Sequence, residues 1–135
     1  MDDFSDITVL IVDDKLTNAW VVRKMLERIG IGTVVLCASG DEARKAITRL
    51  PRVDLVMLDL RLPEEDGYEI YQSLKENPTL SETRFLAATA HVFPLEMRRT
   101  KDSGFDGFIS KPFRLARLKK QIETILAGDP VWEMQ

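Results

Sequence analysis

Short apolar runs alternate with helical patterns along this chain. Val9-Leu10-Ile11-Val12, Leu55-Val56-Met57-Leu58 and Phe85-Leu86-Ala87-Ala88 are unbroken, and Phe108-Ile109 is a shorter run of the same kind. Unbroken runs of this length read as parallel strands buried on both faces. Strands are predicted near 8–12, 33–38, 54–58, 84–88 and 106–109. Between the first two, Ala19, Val22, Leu26 and Ile29 recur at helical spacing, which predicts a helix near 17–29 that stops at Gly30. The second helix opens with Ser39-Gly40-Asp41-Glu42, the spacing of a capping box. It buries Ala43, Ala46, Ile47 and Leu50 and ends at Pro51. The third opens with Asp66-Gly67-Tyr68-Glu69, buries Ile70 and Leu74, and stops at Asn77-Pro78. The fourth begins at Pro94 and ends at Gly104, and the fifth places Leu115, Leu118, Ile122 and Ile125 on one stripe before Gly128-Asp129-Pro130. Right-handed crossovers put helices on both faces of one sheet, so the fold class is α/β and doubly wound, with five parallel strands and five helices. One domain over residues 1–128 and a short C-terminal tail over 129–135 are expected.

The polar residues that close the runs carry the chemistry. Asp13-Asp14 follow the first run and Asp59 follows the run 55–58. Thr89 follows the run 85–88, and Ser110-Lys111 follow Phe108-Ile109. In a parallel sheet the carboxyl ends of the strands form one rim, where open α/β proteins place their ligand sites. A pair of acids after a strand is common in surface loops, Lys-Pro is an ordinary turn, and a lone Thr means little. The weight comes from all of them ending successive strands.

Three acids at one rim repel. Two like charges about 4 Å apart cost roughly 4 kcal/mol at an effective dielectric of 20, so the cluster needs a cation or must hold a proton. Oxygen ligands without His or Cys suit a hard ion, and few carboxylates with waters suit Mg²⁺ better than Ca²⁺. A carboxylate can also be the nucleophile toward a phosphoryl group. A metal, an ammonium and a hydroxyl can then hold the three equatorial oxygens.

Composition narrows the classes. The 135 residues suffice for one domain with a real core, and 44% hydrophobic with 30% charged residues is the balance of a globular protein. A net charge of −3 gives no electrostatic case for nucleic acid. No apolar segment approaches the length of a membrane span, and Met1-Asp2-Asp3-Phe4 is acidic where a signal peptide needs a basic segment. The single cysteine, Cys37, lies in an apolar run and reads as a small core residue of an intracellular, cytoplasmic chain.

With those residues placed, the chain resembles a response-regulator receiver domain, the phospho-acceptor module of two-component signalling. The likeness runs from Ile7 to about Leu126. It rests on Val12-Asp13-Asp14, Leu58-Asp59, Pro63 and Gly67, Ala88-Thr89-Ala90, and Lys111-Pro112-Phe113. The resemblance implies a flavodoxin-like sheet in the order 2-1-3-4-5, which would set Asp13-Asp14 beside Asp59. It implies phosphorylation at Asp59, and Mg²⁺ held by Asp13, Asp14, Asp59 and the backbone carbonyl of Arg61. It further implies phosphoryl contacts from Thr89 and Lys111 and an aromatic switch position at Phe108, whose plainer role is core packing. Asn18 resembles receivers of hybrid kinases and phosphorelays.

Arg61 and His91 stand two residues after Asp59 and Thr89, at positions that flank the pocket in this family. They are expected at the pocket mouth, tuning how long the phosphoryl group survives; the bland reading pairs Arg61 with Glu64 or Glu65. Trp20 lies off the buried stripe of the first helix, near Arg23, Lys24 and Glu27. It is expected either on a docking surface or folded against the fifth helix. Arg117 stands where many relatives carry an acid, which tells against a dimer through the fourth helix, fifth strand and fifth helix.

The function these residues imply is a stand-alone response regulator, not an enzyme. Its partners would be a histidine kinase or histidine phosphotransfer protein and a downstream protein. The alternatives are a pseudo-receiver that binds without phosphorylation, a receiver fragment of a hybrid kinase, and a haloacid-dehalogenase-type phosphatase. The last needs a second acid two residues after its nucleophile, where this chain has Arg61.

Overall fold

A computed structural model describes residues 3–90 and 94–133. In chain order the elements are β1 (Thr8–Val12), α1 (Leu16–Ile29), β2 (Thr33–Cys37), α2 (Gly40–Ile47), β3 (Leu55–Leu58) and α3 (Gly67–Lys75). A 3₁₀ turn at Pro78–Leu80 leads to β4 (Arg84–Thr89), α4 (Pro94–Ser103), β5 (Gly107–Ser110), α5 (Leu115–Leu126) and β6 (Val131–Glu133). Every pairing is parallel and the sheet order is β2-β1-β3-β4-β5-β6.

The period-two geometry of the strands divides the core into two layers. Val9, Ile11, Leu55, Met57, Leu86, Ala88 and Ile109 pack with Ala19, Val22 and Leu26 of α1 and Leu118, Ile122 and Ile125 of α5. Their neighbours Leu10, Val12, Val56, Leu58, Phe85, Ala87 and Phe108 point the other way, onto Ala43 and Ile47 of α2 and Ile70 and Leu74 of α3. Both faces of the central strands are therefore apolar, which is why their sequences do not alternate.

Helix ends follow from local chemistry. Gly30 at φ 113° closes α1, with its N–H donating to the carbonyls of Leu26 and Glu27. Ser39 caps α2 by accepting from the Glu42 N–H, and Glu42 accepts in turn from the Ala38 N–H. Asp66 caps α3 through the Tyr68 N–H at 2.8 Å. Cys37 is buried, which pushes its thiol up to about 11.

Two expectations change. The helix expected to reach Pro51 stops at Ile47, where the Thr48 hydroxyl donates to the Lys45 carbonyl, an acceptor the continuing helix would have used. Five strands were expected, and the sheet has six. Val131–Glu133 of the expected tail pairs with β5 through Gly107↔Val131, Phe108↔Trp132 and Ile109↔Glu133. Three residues after Asp129-Pro130 are too few to show a periodicity, so this strand is invisible until its partner edge is in place. Among the described residues no helix is long and apolar enough to cross a membrane.

Candidate functional site

Strand order builds the site. The β1–β3 register sets Val12 beside Leu58, so the residues that follow, Asp13 and Asp59, leave neighbouring strands side by side. The Asp59 N–H donates to the Val12 carbonyl at 2.9 Å and fixes that exit. Thr89 ends β4 opposite Ser110 of β5, and the Lys111 N–H donates to the Thr89 carbonyl at 2.8 Å. The chain order reverses between β1 and β3, the crevice position expected of an α/β ligand site.

The three acids converge. One carboxylate oxygen from each of Asp13, Asp14 and Asp59 lies within 4.8 Å of the others. Asp13 and Asp59 are buried. Asp13 accepts from the Lys15 N–H at 2.9 Å and from the Lys111 ammonium at 2.6 Å. Asp59 accepts from the Arg61 N–H at 2.9 Å and from Lys111 at 3.3 Å. Asp14 Oδ1 is buried with no hydrogen-bond partner. Burial pushes the Asp59 carboxyl above its usual range, and the Asp13 charge adds to this, while the Arg61 N–H and Lys111 oppose it.

One ammonium among three carboxylates leaves surplus negative charge, and one buried acceptor is unspent. A hard, oxygen-seeking cation fits both facts, because it would neutralise the surplus and take the unused lone pairs of Asp14.

The remaining sequence-derived residues are placed as follows. Thr89 is fully buried at the rim. Phe108 is fully buried in the layer beneath α3, so its packing role is real. His91 lies outside the described residues. Trp20 is 53% exposed, with the Lys24 ammonium 5.3 Å from its ring centroid. Arg117 does find an acid, Glu133 of β6, at 3.0 Å.

Arg61 pairs with neither Glu64 nor Glu65. Its guanidinium reaches Glu96 of α4 at 3.2 Å, and Glu65 is taken by Arg44. The second oxygen of Glu96 accepts from the Tyr68 hydroxyl at 3.0 Å. Arg99 lies 3.8 Å over the Tyr68 ring and pairs with Asp66. A polar ring thus ties α4 to the loop that leaves Asp59. Sequence reasoning missed Glu96 and Tyr68 because their partners are 35 and 28 residues away in the chain, where no spacing rule reaches. Gly67 has a legible reason: a Cβ there would lie 2.7 Å from Leu60 Cα and 3.1 Å from the Asp59 carbonyl oxygen.

A buried acceptor without a partner costs about 1–3 kcal/mol. In the metal-free protein, Asp14→Ala removes that cost together with repulsion from its neighbours, so urea denaturation in the presence of a chelator should show a gain of that size. The same variant should lose the stabilisation that added Mg²⁺ gives the parent chain. A less stable variant that still responds to Mg²⁺ would contradict this account.

Comparison with known proteins agrees with the geometry. The response regulator receiver domain family matches residues 9–123. The polar-differentiation response regulator DivK of Brucella anthropi is 32% identical over 122 residues, covering 90% of this chain and 97% of that protein. Hybrid signal transduction histidine kinase L of Dictyostelium discoideum is 32% identical over 120 residues, covering 85% of this chain but only 7% of the kinase. The solved structure of chemotaxis protein CheY4 from Vibrio cholerae superposes with a TM-score of 0.80 at 26% identity, covering 87% of this chain and 96% of that one. Strand order, the acid cluster and a match spanning most of the chain lead to one conclusion: this chain belongs to the response regulator receiver domain family.

Proposed function

We propose that the chain accepts a phosphoryl group on Asp59 from the phosphohistidine of a histidine kinase or histidine phosphotransfer protein, and that the modification switches binding to a downstream protein. The observation that carries this is the Lys111 ammonium, which bridges Asp59 and Asp13 at the meeting point of three carboxylates. A carboxylate oxygen of Asp59 attacks phosphorus in line, the phosphorus–nitrogen bond breaks, and the imidazole leaves with its electron pair and takes up a proton. Asp13, Asp14, Asp59 and the Arg61 carbonyl would hold Mg²⁺, which supplies positive charge against the phosphoryl oxygens. The Lys111 ammonium and the Thr89 hydroxyl contact the same group, Lys111 exchanging an Asp59 oxygen for a phosphoryl oxygen. Phe108, buried in the strand that leads to Lys111, is the aromatic that follows the change.

Docking falls to α1. The helix begins two residues after Asp14, and its Leu16, Trp20 and Val21 are each about half exposed at 52%, 53% and 49%. Leu16 and Trp20 are one turn apart and so share a face. An apolar face with a tryptophan bordering the acid cluster suits the helix that presents a phosphohistidine. Arg61, anchored to Glu96, and His91 are assigned to the pocket mouth, where bulk slows the in-line attack of water on the acyl phosphate.

Three outcomes test these roles. With Mg²⁺ and a small acyl phosphate donor, intact mass should rise by one phosphoryl group, and Asp59→Asn should abolish the rise; a retained shift sinks the assignment. Trp20→Ala should slow transfer from a phosphohistidine protein about tenfold or more while leaving the small-donor reaction unchanged; equal loss with both donors would indicate a folding defect instead. Arg61→Ala combined with His91→Ala should shorten the phosphoryl lifetime without affecting loading or Mg²⁺ binding, and an unchanged or longer lifetime rejects the pocket-mouth role.

A further inference from the structure

Arg61 is fixed at its backbone and loose at its tip. Its N–H donates to Asp59 Oδ1 at 2.9 Å, which holds the main chain against the acid cluster. Its side chain is 52% exposed and keeps the rotamer freedom of a long solvated chain. Among the described residues its guanidinium has one ion-pair partner, Glu96 of α4 at 3.2 Å. Glu65, only four residues away in the chain, is held by Arg44 instead. A hollow of about 360 Å³ lies beside the pair, lined by Arg61, Glu64, Tyr68, Glu96 and Arg99 among others. The guanidinium therefore has room to swing away once Glu96 lets it go.

Glu96, in contrast, is held in place. Its side chain is 12% exposed, and its second oxygen accepts from the Tyr68 hydroxyl at 3.0 Å. Tyr68 is itself pinned. It is buried, meets the Phe105 ring edge-on, and lies 3.8 Å beneath the Arg99 guanidinium, which pairs with Asp66 at the start of α3. A carboxylate with one oxygen committed to a pinned hydroxyl presents its other oxygen in one direction. Here that direction is Arg61. The ring thus gives a fixed place to a side chain that would otherwise be mobile beside Asp59.

We propose that Glu96 is a positioning residue for loss of the phosphoryl group: oriented by Tyr68, it keeps the Arg61 guanidinium at the pocket mouth and so lengthens the life of the acyl phosphate. The inference rests on the phosphoryl reading of Asp59 and the pocket-mouth role of Arg61, and adds the two residues that make that role possible. Water attacks phosphorus in line with the bond to the Asp59 oxygen, and that bond breaks with its electron pair left on Asp59. The water oxygen departs in inorganic phosphate, its protons passing to the phosphate and the solvent. Neither Glu96 nor Tyr68 touches the reacting atoms; both act through Arg61. An Arg61 released from Glu96 spends part of its time in the hollow, which opens the path of the water without altering the acid cluster.

The test loads the full chain with Mg²⁺ and a small acyl phosphate, removes the donor and follows phosphoryl loss by intact mass. It compares the parent, Glu96→Gln, Tyr68→Phe, Arg61→Ala and the double variant Glu96→Gln/Arg61→Ala. Glu96→Gln keeps the shape of the side chain and removes its charge, so loss should quicken roughly two- to fivefold, the range that one half-exposed ion pair supports. Tyr68→Phe keeps the ring beneath Arg99 and removes only the hydroxyl, so its loss should fall between those of the parent and Glu96→Gln. The double variant should lose phosphate no faster than Arg61→Ala, because Glu96 then has nothing to position. A merely structural role for Glu96 would quicken loss equally in both backgrounds, and that result overturns the proposal. So does an unchanged or slower loss from Glu96→Gln, or an Arg61→Ala lifetime equal to the parent's. If Glu96→Gln fails to fold, Tyr68→Phe with and without Arg61→Ala reads the same coupling: a quickening that vanishes with Arg61 is expected, and its absence overturns the proposal. A parent chain that never gains the phosphoryl mass refutes the reading of Asp59 as well, so the two failures are told apart.

Discussion

Three carboxylates on one rim cannot share it without positive charge, and Lys111 supplies it from 98 residues away in the chain. Each pair of like charges at 4.8 Å repels by about 3–4 kcal/mol at an effective dielectric of 20. The fold tolerates this because the acids are held from behind. Asp13 and Asp59 leave adjacent buried strands, and each carboxylate is turned back onto a backbone N–H two residues on, Lys15 for Asp13 and Arg61 for Asp59. Lys111 closes the arrangement only because β5 ends level with β4, through Thr89↔Ser110. The whole parallel sheet is thus the scaffold for one ion cluster. The cluster's cost is local, while the burial of both strand faces that offsets it is spread over two core layers.

That division explains what was legible. The strands that bear the site are buried on both faces, so they announce themselves as unbroken apolar runs, and the residue ending each run marks the rim. Asp13, Asp14, Asp59, Thr89 and Lys111 could all be found this way without any knowledge of which strand lies beside which. The order of the strands could not, because pairing is a long-range choice among equally apolar partners. It came from resemblance, and the structure agrees with it. What stayed hidden depends on partners remote in sequence. Glu133 shows its use only once Arg117 and Gln121 stand across from it. Arg61 has acids three and four residues away, yet it chooses Glu96, because Glu65 is already held by Arg44.

The ring from Arg61 through Glu96, Tyr68 and Arg99 to Asp66 joins α4 to α3 and the loop before it. Asp66 caps α3, Arg61 sits in the turn that shapes Asp59, and Glu96 and Arg99 ride on α4. Glu96 is nearly buried and holds both partners at once, so its carboxylate cannot satisfy one without constraining the other. The Tyr68 hydroxyl is pushed well above its usual range, first by burial and then by Glu96, which keeps it a donor at any physiological pH. The loop after Asp59 is thus linked to α4 by directional polar contacts in addition to the apolar contact of Met97 with the core layer that holds Leu60 and Tyr68. Hydrogen bonds have directions and break over short distances, while apolar contacts slide.

The acid cluster and the β5 edge share a strand but differ in physics. At the rim, charge is concentrated, buried and undersupplied with cations, so the site favours the arrival of positive charge. At the edge, charge is sparse and half-solvated, and the holding contacts are short-range. β5 connects them directly: Gly107 to Ile109 face β6, and Ser110-Lys111 continue without a break into the cluster. The Lys111 N–H is fixed to the Thr89 carbonyl, so its backbone is held by β4 while its ammonium is shared between Asp13 and Asp59. The shortest route through the chain from the charge at the rim to the last strand of the sheet is therefore β5, a strand of four residues.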